Sequence, residues 1–232
     1  MIYFSHRGAN KMRVQNTGAA FALAHAQGAR CFELDVHLLK DGALAVHHDY
    51  SLLGTAGKDV KLAGLTSADL KAYPLINPFS KETVFVPLLS EILPIVAPEL
   101  QLLNIEIKND DNVYPGIEKA LVKALAFHHD LLPRVLFSSF DYNTLDRLRA
   151  VLPGARLGLL TRNFDVKKAL LLSAESVHIN QTRFTPLIAQ TCHEHGLKIY
   201  VYTVNEVAVA KQLEQDGADG IFTDCIDLFL RG

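Results

Sequence analysis

Short apolar runs alternate with amphipathic stretches along most of the chain. The spacing predicts strands at residues 2 to 6, 30 to 36, 102 to 108, 134 to 138, 155 to 160, 176 to 180, 198 to 203 and 218 to 222. The segments between them have helical periodicity, and several end in a glycine shortly before the next strand, at Gly28, Gly154, Gly196 and Gly217. Glycine past a helix C-terminus takes the left-handed conformation without a Cβ penalty, so these positions are expected to close helices and feed strands. Alternating β and α elements imply a parallel sheet. Eight parallel strands suggest a closed α/β barrel, and a doubly wound open sheet is the other topology with this pattern. Helix starts agree with the phasing. Thr185 offers a capping hydroxyl before Pro186 at the first helical position, and Asn205-Glu206 is expected to do similar work after the seventh strand.

One connection breaks the rhythm. More than sixty residues separate the second and third strands, and they hold five of the nine prolines: Pro74, Pro78, Pro87, Pro94 and Pro98. A loop of that length in a compact domain needs structure of its own. The expectation is an insertion at about residues 39–100, over the barrel mouth, within a single domain spanning 1–232. Leu39-Lys40-Asp41-Gly42 before Ala43 to His47 reads as a hairpin turn, because Asp-Gly tolerates positive φ. Thr66-Ser67-Ala68-Asp69 reads as a helix start with an acidic cap.

Composition narrows the function classes. A chain of 232 residues that is 49% hydrophobic can bury one large core, a size that α/β barrels fill as one domain. The formal charge is -2 and the 23 Lys and Arg are scattered, which gives no footprint for long nucleic acid. Cys31, Cys192 and Cys225 are odd in number and widely spaced, so neither a disulfide framework nor a structural zinc site is indicated. Met1-Ile2-Tyr3-Phe4 leaves no room for a signal peptide ahead of the first strand, and no apolar run approaches the length of a membrane span. A cytoplasmic protein without stable membrane association is expected; the oligomeric state is left open.

The candidate chemistry lies at strand ends. In a strand alternate residues share a face, so Cys31, Glu33 and Asp35 point opposite to Phe32, Leu34 and Val36. In a barrel the acidic set would line the interior near the C-terminal rim, where the active sites of such folds sit. Asn104-Ile105-Glu106-Ile107-Lys108 repeats the pattern and adds a third carboxylate and a cation. Burying adjacent carboxylates without a cation costs several kcal/mol. Three oxygen donors suit Mg²⁺ or Ca²⁺ better than Zn²⁺. His6 ends the first strand and His48 follows the hairpin, so the pair could flank such an ion as base and acid. A cation with two proton-carrying imidazoles suits cleavage of a phosphodiester, an anion that water attacks slowly. Arg7 could bridge its phosphate oxygens or pair with an internal carboxylate, and Lys108 would be a point charge on the phosphate. The stretches 138–141, 202–205 and 217–224 fall at strand ends, where they would be rim contacts or caps and turns. His37 and His47 are expected to pack beside the site, whereas His25, His128, His129, His178, His193 and His195 are expected at the surface or at helix ends.

These residues carry a likeness. His-Arg-Gly at 6 to 8, Asn16-Thr17 with Ala20-Phe21, Glu33-x-Asp35, Lys40-Asp41-Gly42 and His48-Asp49 occur in order. They are followed by Pro87-x-Leu89, Ile-Glu-Ile-Lys at 105 to 108, Tyr-Thr-Val-Asn at 202 to 205 and Gly-Ala-Asp-Gly at 217 to 220. The chain resembles the glycerophosphodiester phosphodiesterases over nearly its whole length. The resemblance implies a TIM-type (β/α)8 barrel with a small insertion after the second strand. It also implies one divalent cation, Mg²⁺ or Ca²⁺, on Glu33, Asp35 and Glu106, and His6 and His48 as the acid-base pair. Arg7, Lys108 and Tyr202 would contact a small glycerophosphodiester substrate, which would be hydrolysed to glycerol 3-phosphate and an alcohol.

The chain departs from the family pattern at two places. Val14-Gln15-Asn16-Thr17 stands where the family usually reads Pro-Glu-Asn-Thr, so a carboxylate near the metal becomes a neutral amide. Leu53 is followed by Gly54-Thr55 instead of an arginine, which removes one basic contact in the insertion. Two other functions remain to be distinguished. One is a non-catalytic barrel that binds glycerophosphodiesters, which would have no need of two proton shuttles. The other is a phospholipase of the sphingomyelinase D type, which would need the secretory signal, disulfide pair and membrane-docking stretch that the sequence lacks.

Overall fold

The computed structural model describes residues 1–230. The chain begins with β1 (Ile2–His6), α1 (Gly18–Ala26), β2 (Cys31–Leu38) and β3 (Leu44–Val46), followed by a single turn, α2 (Leu53–Ala56), and α3 (Leu89–Val96). Strand and helix then alternate: β4 (Leu102–Ile107), α4 (Ile117–Leu125), β5 (Val135–Ser139), α5 (Tyr142–Val151), β6 (Arg156–Thr161) and α6 (Val166–Leu171). The series ends with β7 (Ser176–Asn180), α7 (Pro186–Glu194), β8 (Lys198–Tyr202), α8 (Val207–Gln215), β9 (Gly220–Thr223) and α9 (Ile226–Leu230). β1 pairs in parallel with both β2 and β9, so the parallel strands close into an eight-stranded barrel, with β3 added antiparallel to β2. The closed alternative holds, the open sheet does not, and all the expected strands are present.

Alternation along each strand decides what faces where. Phe32, Leu34 and Val36 on β2 and Ile105 and Ile107 on β4 point outward, into one apolar cluster with helix residues such as Phe21, Ile92 and Leu121. Each such burial contributes roughly 1.5–3 kcal/mol. The inward residues divide by height. Phe4, Cys31, Leu102, Leu136, Tyr200 and Phe222 form an apolar plug, with Phe4 stacked on Phe222 at 4.6 Å between ring centroids. Above this plug the inward positions turn polar, and charged side chains gather at the C-terminal rim.

The long connection after β2 has a small core of its own, built from Leu39, Leu52, Leu62, Leu65, Leu70, Leu75 and Val86. It starts with the expected hairpin: Leu39 N–H donates to Ala43 O at 2.8 Å, and Gly42 has φ +84°. Val46 N–H donates to Pro87 O, which ties the returning chain to β3 and leaves His48 at the barrel mouth. The expected helix start at Thr66 yields only a 3₁₀ turn over Asp69–Ala72, capped by Thr66 N–H and Oγ1 donating to Asp69 Oδ2 at 2.8 and 2.7 Å.

Two expectations about helix ends are corrected. Gly28, Gly196 and Gly217 have positive φ, but Gly154 does not. There α5 stops because Leu152 precedes Pro153 and is forced out of the helical region, at φ -138° and ψ 78°. Thr185 caps α7 through Ile188 N–H as expected, whereas α8 has no side-chain cap. The Asn205 carboxamide is used elsewhere: it accepts from Asp224 N–H at 2.8 Å and donates to Asp224 Oδ2 at 2.9 Å.

Candidate active site

The parallel register of β2 and β4 sets Asp35 beside Glu106, and Glu33 lies two residues below Asp35 on the same face. One oxygen from each of Glu33, Asp35 and Glu106 falls within 4.8 Å of the others, and all three side chains are buried. Arg7 Nε lies 3.1 Å from Asp35 Oδ2, and Lys108 Nζ lies 2.9 Å from Asp35 Oδ1 while also contacting Glu106. Asn16 Nδ2 donates to Asp35 Oδ2 at 2.8 Å, and Arg7 N–H donates to Glu33 Oε2 at 3.1 Å.

The charges in this nest do not balance. Three carboxylates face two cations, Arg7 and Lys108, which leaves one formal negative charge in the interior. Burial pushes Glu33 well above its ordinary range, with the charge of Asp35 adding to it. Burial would also raise Asp35, but Lys108 and Arg7 outweigh it and hold the carboxyl far below the usual range. Glu106 is raised by burial against the pull of Lys108. Glu33 Oε1 is buried with no hydrogen-bond partner. A donor set of oxygens alone, one of them unused, fits a hard divalent cation.

Two imidazoles flank the nest. His6 Nδ1 lies 2.7 Å from Asp224 Oδ1, and its Nε2 lies 3.9 Å from Glu33 Oε2. His48 Nδ1 lies 2.6 Å from Asp49 Oδ1. A carboxylate accepts only, so each Nδ1 donates to its carboxylate and each Nε2 is the ring atom left over for another partner. Burial lowers the pKa of both rings; Asp224 partly restores His6, and Asp35 partly restores His48. The His48 backbone is itself held, because His37 Nε2 donates to His48 O at 3.2 Å while His37 Nδ1 meets the Tyr114 hydroxyl at 2.8 Å. His47 contacts Asp49 O and Thr55 Oγ1 at 2.8 and 2.9 Å, so both neighbours support the hairpin end that carries His48.

The expected residues therefore converge. His6, Arg7, Glu33, His48, Glu106, Lys108 and Tyr202 line one cavity of about 200 Å³, closed below by Asn104, His178 and Phe222. Tyr202 stands edge-on to Phe140, with centroids 6.3 Å apart. Of the two uses open to Arg7, pairing with an internal carboxylate is present, and its Nη1 also donates to Gln15 Oε1 at 2.8 Å. A second, open groove of about 470 Å³ shares His6, Arg7 and Asp224 and runs past Lys11, Arg13, Leu75, Ile76 and Phe79.

Two residues sit where the sequence pattern does not place them. His178, expected at the surface or a helix end, is fully buried inside the barrel, because it falls on an inward position of β7. Asp224, in the rim stretch 217–224, is the partner of His6, a pairing that no local pattern announces. Barrel closure was the available signal, since it brings the end of the last strand beside the end of the first. Ser139 and Asp141 act as local caps: Ser139 Oγ donates to Ile107 O, and Asp141 caps α5.

A sequence profile of the glycerophosphoryl diester phosphodiesterase family matches residues 6–228. A glycerophosphodiester phosphodiesterase of Bacillus altitudinis is 35% identical over 232 residues, covering 97% of this chain and 94% of its own. One from Caldanaerobacter subterraneus subsp. tengcongensis is 32% identical over 228 residues, covering 96% and 93%. Among solved structures, an Oleispira antarctica phosphodiesterase in complex with the product sn-glycerol-3-phosphate superposes with a TM-score of 0.90. It is 27% identical, with 98% of this chain and 94% of that one covered.

Proposed function

We propose that this chain, which belongs to the glycerophosphoryl diester phosphodiesterase family and is a glycerophosphodiester phosphodiesterase, works through one divalent cation and two histidines. The product is glycerol 3-phosphate, the ligand named in the Oleispira antarctica structure, together with a free alcohol. The observation that carries the mechanism is the pairing of two carboxylate-anchored imidazoles, His6 on Asp224 and His48 on Asp49, around one acidic nest.

Glu33, Asp35 and Glu106 would hold the cation, Mg²⁺ or Ca²⁺, which when bound supplies Lewis-acid neutralisation of the phosphodiester. The charge count supports this reading, since the nest carries one excess negative charge and a second anion could not enter it unaided. Arg7 and Lys108 orient and stabilise the phosphate oxygens as charge develops on them. One histidine takes the proton of the attacking water and the other donates a proton to the departing alcohol oxygen. Lowered imidazole pKa values keep at least one ring neutral near pH 7, as a base requires. Tyr202 and Phe140 wall the cavity and limit water.

The chain acts as one barrel domain, its described part running from 1 to 230, with an insertion at about residues 39–100 at its mouth. Among the described residues no helix is long and apolar enough to cross a membrane, and the cysteines are unpaired. A reducing, cytoplasmic setting is consistent with both, and the substrate is a small molecule and not a nucleic acid. The deciding experiment strips the protein with chelator and assays glycerophosphocholine, glycerophosphoethanolamine and glycerophosphoglycerol with Mg²⁺, Ca²⁺ or Mn²⁺ added back. Release of glycerol 3-phosphate only when metal is restored is expected; full turnover in excess chelator would remove the cation from the mechanism.

A further inference from the structure

Below the acidic nest the cavity ends on two neutral polar side chains that the proposed mechanism does not use. Asn104 is 1% exposed and His178 is 0% exposed. The Asn104 Nδ2 group donates to Ser138 Oγ at 3.0 Å, but Asn104 Oδ1 has no partner. His178 Nε2 meets Ser176 Oγ at 2.9 Å, but His178 Nδ1 has no partner. Each is thus tied down by one atom and has a second, buried atom unsatisfied. Native interiors rarely leave such atoms without a partner, so two of them on one cavity floor point to a ligand that hydrogen-bonds there.

The surrounding chain makes room for this floor. On β6, a Cβ at Gly158 would lie 2.5 Å from His178 Nε2, so any larger residue would push the ring out of its place. Phe222 and Tyr200 hold the ring from other sides, with centroids 5.2 and 5.3 Å away. Burial pushes the His178 pKa down to about 3, so the ring is neutral at physiological pH and can recognise a hydroxyl but not pair with a phosphate. The cationic side chains that line the cavity, Arg7 and Lys108, stand at its rim, where they contact Asp35. On β4, Asn104 lies two residues below Glu106, roughly 6.6 Å back along the strand. A charged rim over a neutral floor, a short reach apart, matches a phosphate joined to a small polyol.

We infer that Asn104 and His178 form the subsite for the glycerol hydroxyls, so that the substrate binds with its glycerol arm inward and its alcohol arm in the open groove. This rests on the phosphodiesterase reading above and adds a direction to it. The inner cavity, about 200 Å³, has room for one small polyol, whereas the groove of about 470 Å³ is larger and sets little limit on the departing alcohol. Selectivity for glycerol then resides in the floor, and tolerance toward head groups in the groove.

The test is calorimetric and does not depend on turnover. Wild-type protein with saturating Mg²⁺ or Ca²⁺ is titrated with glycerol 3-phosphate and with propyl phosphate, which keeps the phosphate and lacks both hydroxyls. Glycerol 3-phosphate should bind at least tenfold more tightly. His178→Leu and Asn104→Leu should each bring that ratio toward one while leaving propyl phosphate affinity within about twofold of wild type, and His178→Gln should restore part of it. Equal affinity for the two phosphates in the wild type would overturn the proposal, as would a ratio that survives in either Leu variant. If one variant does not fold, the other and the wild-type ratio still decide. Loss of catalysis on glycerophosphodiesters would count against the functional reading and would leave this binding ratio interpretable.

Discussion

His6 and Asp224 are 218 positions apart in the chain, yet the imidazole Nδ1 and a carboxylate oxygen stand 2.7 Å from each other. The pairing of β1 with β9 brings them together, and Asn10 and Asn205 hold the carboxylate by donating to it at 2.6 and 2.9 Å. Because the carboxylate can only accept, it fixes the tautomer and leaves Nε2 of His6 free for proton transfer. Asp224 is therefore expected to set both the orientation and the basicity of His6.

Replacing Asp224 by Asn should lower kcat/KM by about 10² or more, the usual scale for disabling an acid-base group. The sign of the accompanying pH effect follows from the charges. Burial lowers the His6 pKa and Asp224 raises it, so removing the carboxylate lowers it further. One limb of the kcat/KM profile should therefore move to lower pH: the acid limb if His6 is the base, the alkaline limb if it is the acid. Steady-state rates across pH 4 to 10 would read this directly, and a profile that keeps both limbs in place would separate Asp224 from His6 function.

His6→Ala and His48→Ala should each reduce turnover of glycerophosphodiesters by about 10² to 10⁴. The double variant should lose much less than the product of the single losses, because residues that act as a unit are not additive. Release of glycerol 3-phosphate in a coupled assay measures all three. Near-wild-type turnover in either single variant would take that histidine out of the mechanism.

Much of this arrangement was legible in the sequence because period-two alternation is a local property. Glu33, Asp35, Glu106 and Lys108 could be assigned to inward faces from their own strands. His6 and His48 could be placed at strand ends from their neighbours. Asp224 could not be paired with His6 in that way, since the contact exists only once β9 closes on β1, and no local pattern reports closure. His178 carried the same local signal, since in Ser-Val-His-Ile-Asn the outward Val177 and Ile179 leave the histidine on the inward face; what its strand does not report is that the barrel there is deep enough to bury the ring completely. Helix ends failed where a neighbour intervened, as Pro153 did before Gly154 and Asp224 did at Asn205.

Glu33→Gln tests the nest through stability as well as affinity. The substitution removes a buried charge whose Oε1 has no hydrogen-bond partner, while Arg7 N–H can still donate to the amide oxygen. Divalent-cation binding should weaken by more than tenfold in calorimetry. In excess chelator the variant should melt at or above the wild-type temperature, because an uncompensated buried carboxylate is destabilising when no cation is bound. With Mg²⁺ or Ca²⁺ at saturation the order should reverse, since the wild type gains more from binding. The same order of melting temperatures in both buffers would argue against a cation on Glu33.

Gly8 follows Arg7 and turns the chain from β1 toward α1, and two separate costs of replacing it can be told apart. Its φ is +80°, and a Cβ there would sit 2.6 Å from the backbone carbon of Ala20. Gly42 in the β2–β3 hairpin has a similar φ of +84° with nothing within 4 Å. Gly42→Ala should therefore show only the conformational cost, about 1–2 kcal/mol. Gly8→Ala should add a steric cost of about 1–3 kcal/mol as α1 is pushed away from the turn. Gly8 adjoins Arg7, whose N–H donates to Glu33 and whose Nε pairs with Asp35, so catalysis should suffer in Gly8→Ala and be spared in Gly42→Ala. Denaturant melts and kcat/KM for both variants provide the comparison, and equal destabilisation in the two would show that α1 yields to the added methyl without cost.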